Sequence, residues 1–283
     1  VNKGSHKNFS AVPASHGFAW LLQSLAVIRL QPGRLLTIAI LMQLILGLTQ
    51  VPLLGLLVIL AVPGFNAGVL QAFHVAAQGT RPALSTLFGP LASSRHSGRL
   101  LGMGAVVFVV GLVTMSVLLA GNELVQDPDL LSRIEQGDVE ALAQIDLKTV
   151  GDMILALAIG IAVSGTLSYF TIPLIWFRDR KLWPAIGEGL RAMVVNWKPF
   201  LLLGLGLTIL VIPVSVVAGL LYSMAAGGGA VAVVVMGLVL VLVLLFQLVL
   251  FGTQYCAYRD IFGIGESTPP PSAGPKDDSQ LLA

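Results

Sequence analysis

The chain has 283 residues, of which 56% are hydrophobic and 11% charged, against about a quarter charged in an ordinary soluble protein. Together with a mean hydropathy of +0.90, this makes it an integral membrane protein; no stretch has the mixed polarity of a soluble domain. The net charge of +2 says little by itself, and the single cysteine, Cys256, rules out an internal disulfide.

Residues 1–14 are polar and expected to be disordered, without the apolar core of a cleavable leader. Ser15 then opens a short helix, 16–31, with Phe18, Leu21, Leu22, Leu25 and Ile28 on one side and Trp20 and Val27 opposite. Pro32-Gly33-Arg34 stops it, so a first interfacial helix is predicted. Leu35 to Thr80 contains no charged residue. A span needs about 20 residues to cross about 30 Å of hydrocarbon, so this run holds two, 35–50 and 54–77, reversing at Gln50-Val51-Pro52. Pro63 should kink or loosen the second.

Ala83–Phe88 reads as a short surface helix, followed by a polar turn and a third span, 100–121. The 122–152 loop is acidic, with Glu123, Asp127, Asp129, Glu135, Asp138, Glu140, Asp146 and Asp152 against Arg133 and Lys148. Leu130, Ile134, Leu142 and Ile145 suggest short helices within it, not a domain. A fourth span, 153–177, ends at the most basic segment of the chain, which carries Arg178, Arg180, Lys181, Arg191 and Lys198. There Trp183, Ile186, Leu190, Met193 and Trp197 recur at helical spacing, with Glu188 and Arg191 opposite. Tryptophans ending an apolar stripe beside basic residues suit a second helix lying in the headgroup layer. Leu201–Tyr258 is again uncharged and breaks at Ala225–Gly229 into spans 200–224 and 230–256; the valine-rich last run is too long for a strand. The tail, 263–283, with three consecutive prolines, is expected to be disordered.

The predicted fold is therefore all-α: one membrane domain, 15–262, of six transmembrane helices and two cytoplasmic interfacial amphipathic helices. The segment up to Arg34, the 78–99 loop, 178–198 and the chain from Arg259 onward hold 14 of the 16 lysines and arginines. The positive-inside rule then puts both termini in the cytoplasm and the acidic loop outside. An interfacial helix, a proline and a hairpin occur in both halves. This reads either as an internal duplication or as a simple pattern that arose twice.

No motif for catalysis, a cofactor or a metal stands out, and no ionisable residue sits at a span centre. Arg95, Arg99, Arg178, Arg180 and Lys181 are expected to meet anionic headgroups and fix orientation. Gln43, Asn66 and Gln247 are candidates for lining a cavity, or else for bonds between helices. His74 and Cys256 read as structural. Small residues four apart, including Gly64 and Gly68, Gly160 and Ser164, and Gly219, suggest close helix packing. Arg259 and Asp260 are expected to clamp the last span at the cytoplasmic face, pairing with each other, a headgroup or the 178–181 cluster.

Tyr255, Tyr258 and the ending Arg259-Asp260-Ile261-Phe262, with Asn196-Trp197-Lys198-Pro199-Phe200, Pro63-Gly64-Phe65-Asn66-Ala67-Gly68 and Gly79-Thr80-Arg81-Pro82, carry a resemblance. Over residues 16–262 the chain resembles an uncharacterised family of proteobacterial six-span inner-membrane proteins. The same outline is similar to wider function-unknown membrane domains, some fused to glycerophosphodiesterases; no hydrolase domain is read here. The resemblance implies a topology and a bacterial inner-membrane setting, and no catalytic residue. The expected function is a non-enzymatic envelope scaffold or partner protein, its partners being membrane lipids and another membrane protein or a second copy, not nucleic acid. The alternative is a transporter or channel for an uncharged or lipid-like solute.

Overall fold

The computed structural model describes residues 9–51, 53–122, 126–136, 138, 146–225 and 228–263. In order come α1 (His16–Leu30), α2 (Pro32–Gly47), a 3-10 turn Leu48–Gln50, α3 (Leu54–Ala77), a 3-10 turn Leu84–Leu87 and α4 (Gly89–Ala92). Then follow α5 (Ser97–Leu118), α6 (Pro128–Glu135), α7 (Leu147–Arg178), α8 (Leu182–Val195), α9 (Trp197–Ala225) and α10 (Gly229–Phe262). Six of these, α2 with its 3-10 turn, α3, α5, α7, α9 and α10, are long and apolar enough to cross a membrane. The chain is an all-α, six-span membrane protein, with no strand among the described residues.

Sequence placed the spans well and their ends less well. α7 starts at Leu147 rather than 153, because the Asp146 carboxylate accepts the Thr149 amide at 2.6 Å and caps the helix there. α10 runs to Phe262 rather than 256, because its polar last turns find partners inside the protein. At 32 and 34 residues these helices are about 48 and 51 Å long, well beyond the hydrocarbon thickness of about 30 Å.

The surplus is packed into a head at the basic end of the bundle. α7 is buried at every position from Phe170 to Ile175, and α10 from Gly252 to Tyr258, as only helices enclosed by protein are. α1, α3, α8 and α9 surround them, with aromatic contacts running Trp20–Phe200–Phe170–Phe262–Tyr258–Phe177 at centroid distances of 5.1–5.6 Å. The backbones approach closely here: a Cβ on Gly17 would overlap the Pro199 carbonyl, and one on Gly252 would stand 2.7 Å from Ser24 Cβ.

Other expectations change, or gain a packing side that sequence left open. Residues 9–14 are docked, not disordered: the Ser10 amide donates to the Ile261 carbonyl at 2.7 Å, and the Val12 amide to Asn196 Oδ1 at 2.9 Å. The expected disorder of 1–8 and of 264–283, and the helical reading at 142–145, lie outside the described residues. Sequence named no protein-facing side for α1; Gly17, Trp20, Ser24, Val27 and Ile28 are buried against α9 and α10, and of the apolar set Leu22 faces out. On α8 the buried strip is Ala185, Gly189 and Ala192, which lets the helix approach α7 until a Cβ on Gly189 would be 3.2 Å from Phe170 Cβ. The stripe read from sequence lies beside this strip: Trp183 and Trp197 are exposed, while Ile186, Leu190 and Met193 are half-buried. The short surface helix read at 83–88 is a 3-10 turn, Leu84–Leu87, followed by α4, with Ser85 and Phe88 exposed; its inner side is seated on the protein, where Leu87 and Pro90 are buried and a Cβ on Gly68 would overlap the Leu87 carbonyl. The two halves also pack differently, since α1 lies chiefly on α9 and α10 whereas α8 lies chiefly on α7.

Candidate functional site

The loops of the basic end are joined by three carboxylates. Asp179 ends α7 in the left-handed conformation (φ 54, ψ 29), which aspartate tolerates better than most residues. This turn aims its side chain at the start of α5. Arg95 pairs with one oxygen, while Arg99 Nη1 donates to the other at 2.8 Å and to the Asp179 carbonyl at 2.9 Å. His96 Nε2 stands 3.3 Å from the same carboxylate, and its ring meets Trp176 edge-on at 5.0 Å. Burial alone would raise the Asp179 carboxyl, but hydrogen bonds and charge from Arg95 and Arg99 outweigh it and hold it below the usual carboxylate range. Burial pushes His96 down; Asp179 pulls it partly back, and Arg99 and Arg95 push it further down.

Glu188, 10% exposed in its side chain, forms the second junction. Arg180 Nε lies 3.1 Å from it and Arg178 Nη1 3.9 Å, the nearer approach being an ion pair without hydrogen-bond alignment. Arg178 also donates to the Phe262 carbonyl, and its guanidinium lies 5.5 Å from that ring's centroid. The third junction is Asp260, whose Oδ2 accepts the indole N–H of Trp20 at 2.8 Å and lies 2.6 Å from His16 Nδ1. Arg259 donates to Gln23 Oε1 at 3.1 Å. The partner of Arg259 and Asp260 is thus α1, not one of the three expected from sequence. Asn196 adds a neutral tie between α8 and the N-terminal segment by donating to the Ser10 carbonyl at 3.1 Å.

Four of the five arginines and lysines expected to face headgroups, Arg95, Arg99, Arg178 and Arg180, therefore have carboxylate partners within the chain. Lys181 is exposed at the start of α8. Asp179 and Glu188 were not singled out in sequence. The signal available was their sign, acids lying within the most basic segment of the chain.

Gln43, Asn66 and Gln247 differ in setting. Gln43 is exposed on α2 and Gln247 half-buried on α10. The side-chain oxygen of Asn66, on α3, is buried and accepts no hydrogen bond among the described residues. Of the small-residue ladders, Gly64 and Gly68 seat Leu91 and Leu87, whereas Gly160 makes an ordinary contact with Met115 of α5, and Ser164 lies beside Gly111. A Cβ on Gly219 would meet nothing within 4 Å, so that ladder brings no helix close within this chain.

Clefts open at both ends of the spans. One, of about 530 Å3, is lined by Gln31, Pro32, Gly33, Arg34, Thr37 and Arg81 at the basic end. Another, of about 270 Å3 at the acidic end, includes Asn122, Lys148 and Asp152. No family model, curated protein or solved structure matches this chain.

Proposed function

We propose that the chain is a non-enzymatic architectural protein of a bacterial inner membrane, with its packed head and both termini in the cytoplasm and the acidic loop in the periplasm. The resemblance carried by the Arg259-Asp260-Ile261-Phe262 ending supports the setting, and the distribution of lysine and arginine supports the orientation. One observation carries the architectural reading. The carboxylates of the head are each engaged by side chains from other elements: Asp179 by Arg95, Arg99 and His96, Glu188 by Arg178 and Arg180, Asp260 by His16 and Trp20. Such groups hold loops in place, whereas a reacting or solute-binding site needs groups left to act.

The test is extraction in native lipid followed by mass spectrometry of the intact particle. A second membrane protein or a second copy retained in fixed ratio is expected. A lone chain that carries a neutral amphiphile across a reconstituted vesicle would overturn the proposal. The orientation is tested separately, with a periplasm-dependent reporter at Asp138 and another in the tail; only the first should be active.

A transport reading has one observation in its favour, the buried oxygen of Asn66 near Pro63, which has no partner among the described residues. If transport is the function, Asn66→Leu abolishes uptake while protein level and oligomeric state are unchanged.

A further inference from the structure

Arg34 and Arg81 differ from the arginines of the head. One comes from the first turn of α2 and the other from the turn after α3, and both line the 530 Å3 cleft, which has no carboxylate in its lining. Among the described residues neither guanidinium has a hydrogen-bond or ion-pair partner, and Arg34 Nε is shut off from solvent with nothing to donate to. Two cations sharing one cleft repel each other unless an anion lies between them. A phosphate oxygen pair matches the guanidinium fork, and the Gln31 side chain is beside it.

The surface beneath the cleft indicates where that phosphate comes from. Thr37, in the cleft lining, begins an exposed line along one side of α2 that continues through Ile40, Leu44 and Leu48, at three, seven and eleven residues further. Leu44 is 68% exposed. An apolar track running from a cationic cleft toward the membrane interior suits a molecule with a charged head and long chains.

We propose that this cleft binds an anionic phospholipid, its phosphate held between Arg34 and Arg81 and its acyl chains lying along Ile40, Leu44 and Leu48. A headgroup carrying an ammonium would bring a third cation to the two arginines, so phosphatidylglycerol is favoured over phosphatidylcholine. The site is independent of whether the protein is a scaffold or a transporter.

The full chain, purified in a mild detergent, is titrated with phosphatidylglycerol, phosphatidylcholine and inorganic phosphate and read by native mass spectrometry. Retention of one phosphatidylglycerol in preference to phosphatidylcholine is expected. Arg81→Gln, at an exposed position, should lower that retention about tenfold, the scale of one charge-assisted hydrogen bond. Arg34→Lys, which keeps the charge and loses the fork, should lower it less. Arg191→Gln, at an exposed arginine of α8, should leave it unchanged. Wild-type retention by Arg81→Gln overturns the proposal, as does an equal loss in Arg191→Gln, which would mean diffuse attraction. Displacement of the lipid by millimolar inorganic phosphate would also overturn it, making the cleft a site for the free ion.

Discussion

α10 is two different helices in one. Between Gly252 and Tyr258 every residue is buried, while between Gly229 and Val243 only Val235 is. α9 changes in the same direction: Leu203 and Gly206 are buried near its start, and no described residue after Gly206 is. Within hydrocarbon, leucine gains little by touching leucine instead of lipid, so apolar character alone does not draw these outer halves together. At the basic end the helices meet because glycines let backbones touch and because polar groups out of water need partners. The head is therefore where the fold is specified, and the outer halves are where lipid completes the packing.

Steric change should separate the two regions most sharply. Gly68→Val forces a side chain onto the Leu87 backbone. Overpacking of this kind costs about 1–3 kcal/mol, enough to lower the melting temperature by roughly 5 °C or to prevent recovery of monodisperse protein. Gly219→Val, in open surroundings, should melt with the wild type. Equal effects at both positions would mean that the outer halves are packed too.

Polar loss comes next. Asp260→Ala leaves the indole N–H of fully buried Trp20 without its acceptor, at a cost of about 1–3 kcal/mol. At the other end, Lys148→Ala removes an exposed pairing with Asp152 one turn away, worth about 0.3–0.5 kcal/mol. Thermal unfolding of both in the same detergent measures the contrast. Asn196→Ala should fall between them, at about 1 kcal/mol, with a second readout: loss of its bonds to Ser10 and Val12 should expose residues 9–14 to protease while the spans stay intact.

What sequence could show follows the same division. Spans were legible because long uncharged runs have one stable arrangement in a bilayer. The inner faces of α1 and α8 were not, for a reason particular to membranes. The most apolar side of such a helix serves lipid as well as it serves protein, so Leu22, Trp183 and Trp197 point outward. The protein side is held by small or hydrogen-bonding residues: Gly17, Trp20 and Ser24 on α1, Ala185, Gly189 and Ala192 on α8. Hydropathy does not single these out. The ion junctions were hidden by distance, since Arg95 and Asp179, or His16 and Asp260, meet only after several helices have turned back. A charge near a span end gives no sign of whether its partner is a headgroup or a carboxylate brought from elsewhere.

The smallest effect distinguishes those two kinds of charge. His96 is held below its ordinary value, first by burial, so the unfolded chain takes up its proton before the folded one does. Stability contributed by neutral His96 is thus present above pH 6.5 and declines as pH falls from there through its folded value. Asp179, also held low, keeps its contribution at neutral pH and loses it only below pH 3.8, as pH falls through its own folded value. Between pH 7.5 and 5.5 the unfolded chain takes up a proton at this histidine ahead of the folded one, while Asp179 stays charged. The melting temperature of the wild type should therefore fall by a degree or two relative to His96→Gln over that range, roughly the effect of less than 1 kcal/mol. If the two curves stay parallel, His96 is solvated as a surface residue would be, and the start of α5 is not locked to the end of α7 in the manner described.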